Sequence, residues 1–220
     1  MFQSFVDLIE KGALKEGEPL PPEREIVATY NVSRTVVREA VHLLASRGLV
    51  EARPRYRPVV RRPSYETALQ TAGAVVERLL VQNGGVRNMF DTRIFIEAAL
   101  VRRAAQLATP PEISRLARAL HANKAAINDS ERFYQTDQAF HRVFYDITDN
   151  PVLTATHTAF VEWLSPHWVQ MEHLTERNAK NFEAHQAIFD AIQIGDPDTA
   201  EAVLSAHLEE AWGQVRDTFK

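Results

Sequence analysis

Apolar residues recur every three or four positions along almost the whole chain, and one short stretch breaks that rhythm. Phe2, Phe5, Val6 and Ile9 form the core face of a first helix. Ile26, Val27 and Tyr30 repeat the spacing behind Pro22, which can occupy a first helical turn because its missing N–H is not needed there. Ser33 is a fitting N-cap for the next helix, whose apolar stripe reads Val36, Val37, Ala40, Val41 and Leu44. After Gly48 the helical period gives way to Leu49-Val50-Glu51 and Val59-Val60, two strand-like pairs that predict a small hairpin. Two short helices joined by a tight turn and followed by a hairpin predict a winged helix-turn-helix.

Beyond Arg62 the helical period returns and holds. Arg57-Pro58 and Arg62-Pro63 resist helix and Ser64 can cap a new one, so residues 1–62 and 63–220 are expected to be separate domains. In the second, helices are predicted over 64–82, 86–108, 111–128, 130–148, 151–171, 175–194 and 197–219. The breakers between them are Asn83-Gly84-Gly85, Thr109-Pro110-Pro111, Asp129-Ser130, Asn150-Pro151 and Gly195-Asp196-Pro197. No segment alternates convincingly with period two. The fold class expected is therefore mainly α, a winged helix-turn-helix followed by an all-α antiparallel bundle.

Charge sharpens the reading of the first domain. The chain as a whole is mildly acidic, with a formal net charge of −4. Between Arg34 and Arg62, however, eight arginines face only Glu39 and Glu51, a local surplus of six. Arg34, Thr35 and Arg38 lie opposite the apolar stripe in the first turns of the second helix, where a recognition helix makes its base and phosphate contacts. Arg53, Arg55 and Arg57 load the hairpin. A basic stripe on an acidic protein predicts docking on duplex DNA.

Composition excludes several classes. No apolar run approaches the length of a membrane span, and no charged-then-apolar leader marks a secretory signal. The chain has no cysteine, which removes disulfides and thiolate metal sites and fits a reducing cytoplasm.

Within the helical part, Asp137 and His141 stand four residues apart on one helix face. His185 lies ten residues before Gly195 and His207 ten after Pro197, so both sit at one level of a helical hairpin. Three imidazoles and a carboxylate suit a borderline divalent cation, with Zn²⁺ first and Ni²⁺, Mn²⁺ or Fe²⁺ as alternatives. Taken singly each histidine is as readily a packed or surface residue, since the chain carries five others. Arg93 and Glu97 form another i, i+4 pair in an apolar stretch. The spacing leaves open a surface salt bridge or an interior arginine whose fork holds a small acid at the metal. Trp163 and His167 share a helical face and are candidates for a pocket lining, with core packing the competing role for Trp163.

Together these motifs resemble the GntR family of bacterial regulators. The resemblance rests on Leu20-Pro21-Pro22-Glu23-Arg24-Glu25, on Ser33-Arg34-Thr35-Val36-Val37-Arg38-Glu39-Ala40 and on Gly48-Leu49-Val50. The C-terminal part is similar to the FadR-type branch with an FCD domain, through Arg93-x-x-x-Glu97, Asp137-x-x-Phe140-His141, Asn150-Pro151, His185-x-x-Ile188, Gly195-Asp196 and His207. The resemblance implies a homodimer on a pseudo-palindromic operator, with Arg24, Ser33, Arg34, Thr35 and Arg38 on DNA-contact positions. It also implies a metal held by Asp137, His141, His185 and His207, and an effector carboxylate met by Arg93. Many relatives carry a glycine at the wing tip, where this chain has Arg53-Pro54-Arg55-Tyr56-Arg57. The leader before Phe2 is short beside longer relatives, which implies a trimmed first helix. Two rival functions remain on sequence alone, a metallohydrolase bearing a winged helix and a DNA-binding dimer without effector.

Overall fold

The computed structural model describes residues 1–53, 55–80, 82, 84–168 and 175–216, and of Ala74, Pro166 and His167 only the backbone. Among the described residues it contains ten α-helices and one two-stranded sheet. The chain divides into two compact units, Met1–Ala72 and Gly73–Lys220.

In the first unit, α1 (Phe2–Glu10), α2 (Glu23–Tyr30) and α3 (Arg34–Ser46) enclose a core of Phe5, Ile26, Val37, Leu44 and Leu49. Helix α2 ends at Asn31, whose left-handed backbone (φ 50°) turns the chain into the Ser33 cap. Strands β1 (Val50–Glu51) and β2 (Val59–Val60) pair antiparallel, Val50 opposite Val60. The wing is broader than a hairpin, because the segment before α2 joins its other edge. Leu20 N–H donates to Pro58 O at 2.7 Å, Val60 N–H to Glu18 O at 2.8 Å and Gly17 N–H to Val60 O at 2.9 Å. No hydrophobic period marks that edge segment in the sequence. The stripe of α3 is also narrower than its spacing suggests: Val37, Ala40 and Leu44 are buried, whereas Val36 is 42% exposed. Gly48 has a positive φ (69°), and a Cβ there would stand 2.9 Å from Thr67 Cγ2 in the first turn of α4 (Tyr65–Leu80). Only glycine fits.

The second unit is a bundle built from the rest of α4 with α5 (Gly85–Leu107), α6 (Pro110–Ala125), α7 (Ser130–Asp146), α8 (Pro151–Trp168), α9 (Thr175–Ile194) and α10 (Pro197–Val215). Several of the expected breakers work as caps. Thr109 and Glu112 close a capping box on α6. Asp129 accepts from Arg132 N–H at 3.0 Å, and Asp196 from Thr199 N–H at 3.0 Å. The expected helix ends at Met171 and Phe219 fall outside the described residues. Helix α6 stops at Ala125, short of the expected 128, in a turn that delivers Asp129 as the next cap. Helix α5 packs on α7, α9 and α10, and α6 on α7 and α9. Between them Leu100, Val101, Phe140, Phe144, Ile188 and Leu204 form the main core. Among the described residues no helix is long and apolar enough to cross a membrane.

Candidate metal centre and nucleic-acid interface

In the first unit, α3 begins where Ser33 Oγ accepts the Val36 N–H at 3.3 Å, so this hydroxyl serves the helix start. Arg34, Thr35 and Arg38 then stand exposed over the first turns, and Arg24 is exposed on α2. The Glu23 carboxylate links the two α3 arginines: Oε2 accepts from Arg38 Nε at 3.3 Å, and Oε1 lies 3.9 Å from Arg34 Nε. At the wing tip, Tyr56 N–H donates to Arg53 O at 3.2 Å and Arg55 occupies the third place of that turn with φ 68°. A glycine normally fills such a position. Arg55 thus takes a conformation that glycine favours and projects a cation from it. Arg57 is committed elsewhere, its Nε donating to the buried Leu20 carbonyl at 2.9 Å. That bond fastens the wing to the segment before α2.

In the second unit, three helices supply the ligand set. Helix α7 places Asp137 and His141 one turn apart, α9 carries His185 and α10 carries His207. Their ligand atoms all lie within 4.8 Å of one another. The three imidazoles are buried, and Asp137 is half-buried. His185 Nε2 stands 3.1 Å from His207 Nε2 and 3.3 Å from Asp137 Oδ1. Asn123 directs the other side of His185. Its amide N–H₂ donates to Thr136 Oγ1 at 3.0 Å, so its Oδ1, 2.9 Å from His185 Nδ1, accepts that ring's proton. His185 Nε2 therefore offers a lone pair to the cluster. His141 does the same: its Nδ1 faces Glu97 Oε2, and its Nε2 is buried without a hydrogen-bond partner.

A lone pair on His185 Nε2 facing Asp137 at 3.3 Å, beside an unpartnered His141 Nε2, brings acceptor atoms together at one point, an arrangement that a cation satisfies. The donor set fits a divalent metal ion. Titration points the same way. Burial, then His141 and Arg93, push the His207 imidazole down to about 3. Burial, then His207 and His141, push His185 well below its usual range. Both rings are neutral at pH 7, the form that ligates. Burial raises the Asp137 carboxyl against the pull of His141 and Arg93. A bound cation reverses that logic and holds it ionised.

Arg93 and Glu97 are both buried, so the pair is not a surface bridge, and Arg93 lies in the bundle interior with Glu97 beside it. Arg93 Nε donates to Glu97 Oε1 at 2.7 Å, and Tyr145 O–H donates to the same oxygen at 3.2 Å. Burial would raise the Glu97 carboxyl, but Arg93 and then His141 outweigh it and hold the group far below the usual carboxylate range. Arg93 borders a cavity of about 330 Å³ that Asp137, His141 and His207 also line. Tyr134 and Trp168 supply an aromatic wall, their rings 4.6 Å apart, with the Arg93 guanidinium carbon 5.6 Å from the Trp168 ring. Asn178, Asn181 and Gln214 add amides. Trp163 instead packs against the Leu80, Phe90 and Leu164 cluster. The side chain of His167 lies outside the described residues.

The sequence reading missed Asn123, Tyr134, Tyr145 and Trp168. Asn123 is 62 positions from the ring it orients, and Tyr145 is 48 from its carboxylate. Neither separation leaves a periodic trace. The Tyr134 spacing to Asp137, one turn on the same face of α7, was the one available signal.

Comparison with known proteins agrees with both units. Residues 2–60 match the family of bacterial regulatory proteins named gntR, and residues 88–210 match the FCD domain. The transcriptional repressor NanR of Klebsiella aerogenes is 39% identical over 94% of this chain and 80% of its own length. NanR of Escherichia coli K12 is 38% identical over 99% of this chain and 86% of its own. A Streptococcus agalactiae GntR protein superposes with a TM-score of 0.62 at 20% identity, covering 96% of each chain, and so shares the fold. Escherichia coli McbR/YncC does so at 0.57 and 17%, covering 100% of this chain and 96% of its own. The NanR relatives are transcriptional repressors, which sets the metallohydrolase reading aside. The chain belongs to the GntR family of bacterial regulatory proteins, in the branch that carries an FCD domain.

Proposed function

We propose that this protein is a homodimeric transcriptional repressor whose grip on a pseudo-palindromic operator is released by a carboxylate metabolite bound at a metal ion. Residues 1–62 form the DNA-binding domain and 63–220 the effector and dimerisation domain. Arg34 and Arg38 read base edges, Arg24, Ser33 and Thr35 fix the register, and Arg55 meets the backbone beside the wing, which Arg57 braces through the Leu20 carbonyl. Asp137, His141, His185 and His207 hold one divalent ion, Zn²⁺ by the nitrogen-rich ligand set. Bound there, that ion would supply Lewis acidity toward a carboxylate oxygen. The chain's own contribution is the guanidinium of Arg93, which orients the carboxylate by paired N–H donors.

One observation carries this reading: Arg93 borders a single cavity of about 330 Å³ together with three of the four ligands, Asp137, His141 and His207. Its chemistry narrows the ligand. An aromatic wall of Tyr134 and Trp168 suits the C–H face of a sugar ring, and Asn178, Asn181 and Gln214 suit hydroxyl or acylamino groups. A sialic or related sugar acid meets these terms. The ligand must bind the DNA-free arrangement better, and a preference of about 1–3 kcal/mol is typical of such coupling.

The test uses duplex selected from a random pool by zinc-loaded protein and read by fluorescence anisotropy. N-acetylneuraminate, gluconate and glucuronate are then titrated in. At least one sugar acid is expected to release wild-type protein and to leave His207→Ala on the DNA. No release by any sugar acid, or equal release of His207→Ala, refutes the reading.

A further inference from the structure

We propose that Glu97 is a positioning residue for the metal centre, whose hydrogen-bond polarity is locked by Arg93 and which thereby forces His141 to present an unprotonated Nε2. The proposal rests on the metal reading above and deepens it.

Glu97 is fully buried and receives three donors. Arg93 Nε and Tyr145 O–H meet Oε1, at 2.7 and 3.2 Å, and His141 Nδ1 meets Oε2. A carboxylate can only accept, so His141 must carry its proton on Nδ1. The lone pair then lies on Nε2, the atom that is buried without a hydrogen-bond partner and faces the ligand set. Asn123 enforces the same tautomer on His185, but through an amide that Thr136 must orient. Glu97 needs no orientation to do so. Such outer partners fix both the tautomer and the ring plane of a ligating histidine.

The arrangement makes an unusually sharp prediction for Glu97→Gln, which keeps shape and all four ligands. A guanidinium has no acceptor, so the amide oxygen must face Arg93 Nε. The amide N–H₂ must then face His141 Nδ1, which has to accept. The ring proton moves to Nε2, pointing into the cluster, where it blocks ligation. Tyr145→Phe removes a donor from Oε1 and leaves the Arg93 lock in place.

The experiment has two readouts on the full-length protein. Nitrogen-15 NMR of the metal-free protein reports the His141 tautomer, and competition against a chromophoric chelator reports the affinity for Zn²⁺. Wild type and Tyr145→Phe are expected to be Nδ1–H tautomers with affinities within a few-fold of each other. Glu97→Gln is expected to be the Nε2–H tautomer and to bind Zn²⁺ about 10–100-fold more weakly. An Nε2–H tautomer in metal-free wild type overturns the proposal, and that measurement stands even where Glu97→Gln does not fold. So does a Glu97→Gln protein that keeps the wild-type tautomer. Wild-type protein that takes up no Zn²⁺ refutes the metal reading instead, and the tautomer result separates the two failures.

Discussion

The buried imidazoles make the metal-free helical unit sensitive to acid. His207 is depressed to about 3 by burial, then by His141 and Arg93. His157 is depressed to about 4, burial being the largest cause, with Nδ1 unpartnered. Both folded-state values lie below the unfolded value near 6.5, so the unfolded chain takes up protons first as pH falls. Stability is complete above about 7.5, begins to fall near 6.5 and goes on falling until the folded rings titrate, at a slope of about 1.4 kcal/mol per pH unit for each histidine. At pH 5 that integrates to about 2 kcal/mol apiece, or about 4 kcal/mol for the two. His185, shifted the same way, adds to it. Asp137 titrates in the opposite sense, since burial raises its carboxyl and the folded state protonates first, which returns part of the loss at the acid end. Against a total of about 5–15 kcal/mol the change is large. For a unit of this size it corresponds to a fall of roughly 8–16 °C in melting temperature. The assay is thermal melting in EDTA between pH 7.5 and 5, because a bound ion would hold the rings neutral and add its own release. A melting temperature flat across that range would show that these rings are not buried neutral.

Arg55→Gly should relieve the left-handed strain at the wing tip by about 1 kcal/mol, seen as a higher urea midpoint, while weakening every duplex alike through the lost cation. Arg34→Ala should cost about 1–3 kcal/mol of operator binding and relax one position per half-site in anisotropy titrations. Arg57→Ala should differ from it, lowering the melting temperature as well, because the buried Leu20 carbonyl loses a donor worth about 1–3 kcal/mol. Arg93→Ala should abolish the effector response and also destabilise the helical unit by about 3–5 kcal/mol, since Glu97 keeps its charge with no guanidinium beside it. Calorimetry and melting curves on the same preparation would separate the two effects.

Much of the fold was legible because its determinants are local. Asn150-Pro151, Asp129-Ser130 and Gly195-Asp196-Pro197 act within four residues, and each caps the helix that comes after it. The matched heights of His185 and His207 were legible too, because a tight turn converts sequence distance into height along two helices. What escaped depends on contacts between distant segments. Val36 keeps the period of the α3 stripe yet stands exposed, because nothing in the first unit reaches that edge. Trp163 and Trp168 are equivalent as letters. Both pack against the cluster around Phe90 and Leu164, and that Trp168 alone of the two also lines the cavity is decided by helices whose order of packing no spacing records. Glu97 was visible only as half of a pair with Arg93, while its bonds to His141 and Tyr145 span 44 and 48 residues.

Glu23 gives the reading face an internal counter-ion. Its carboxylate sits between Arg34 and Arg38, where a free chloride would otherwise condense. When a phosphate or a base edge takes either guanidinium, the partner displaced stays tethered to α2 and gains no mixing entropy in bulk salt. No anion is freed into solution at these two cations, and the cations released from the duplex are the entropic gain that remains there. Salt should act on this face as though it carried fewer charges than it does, and the retained carboxylate repels every duplex that does not meet the arginines with acceptors of its own.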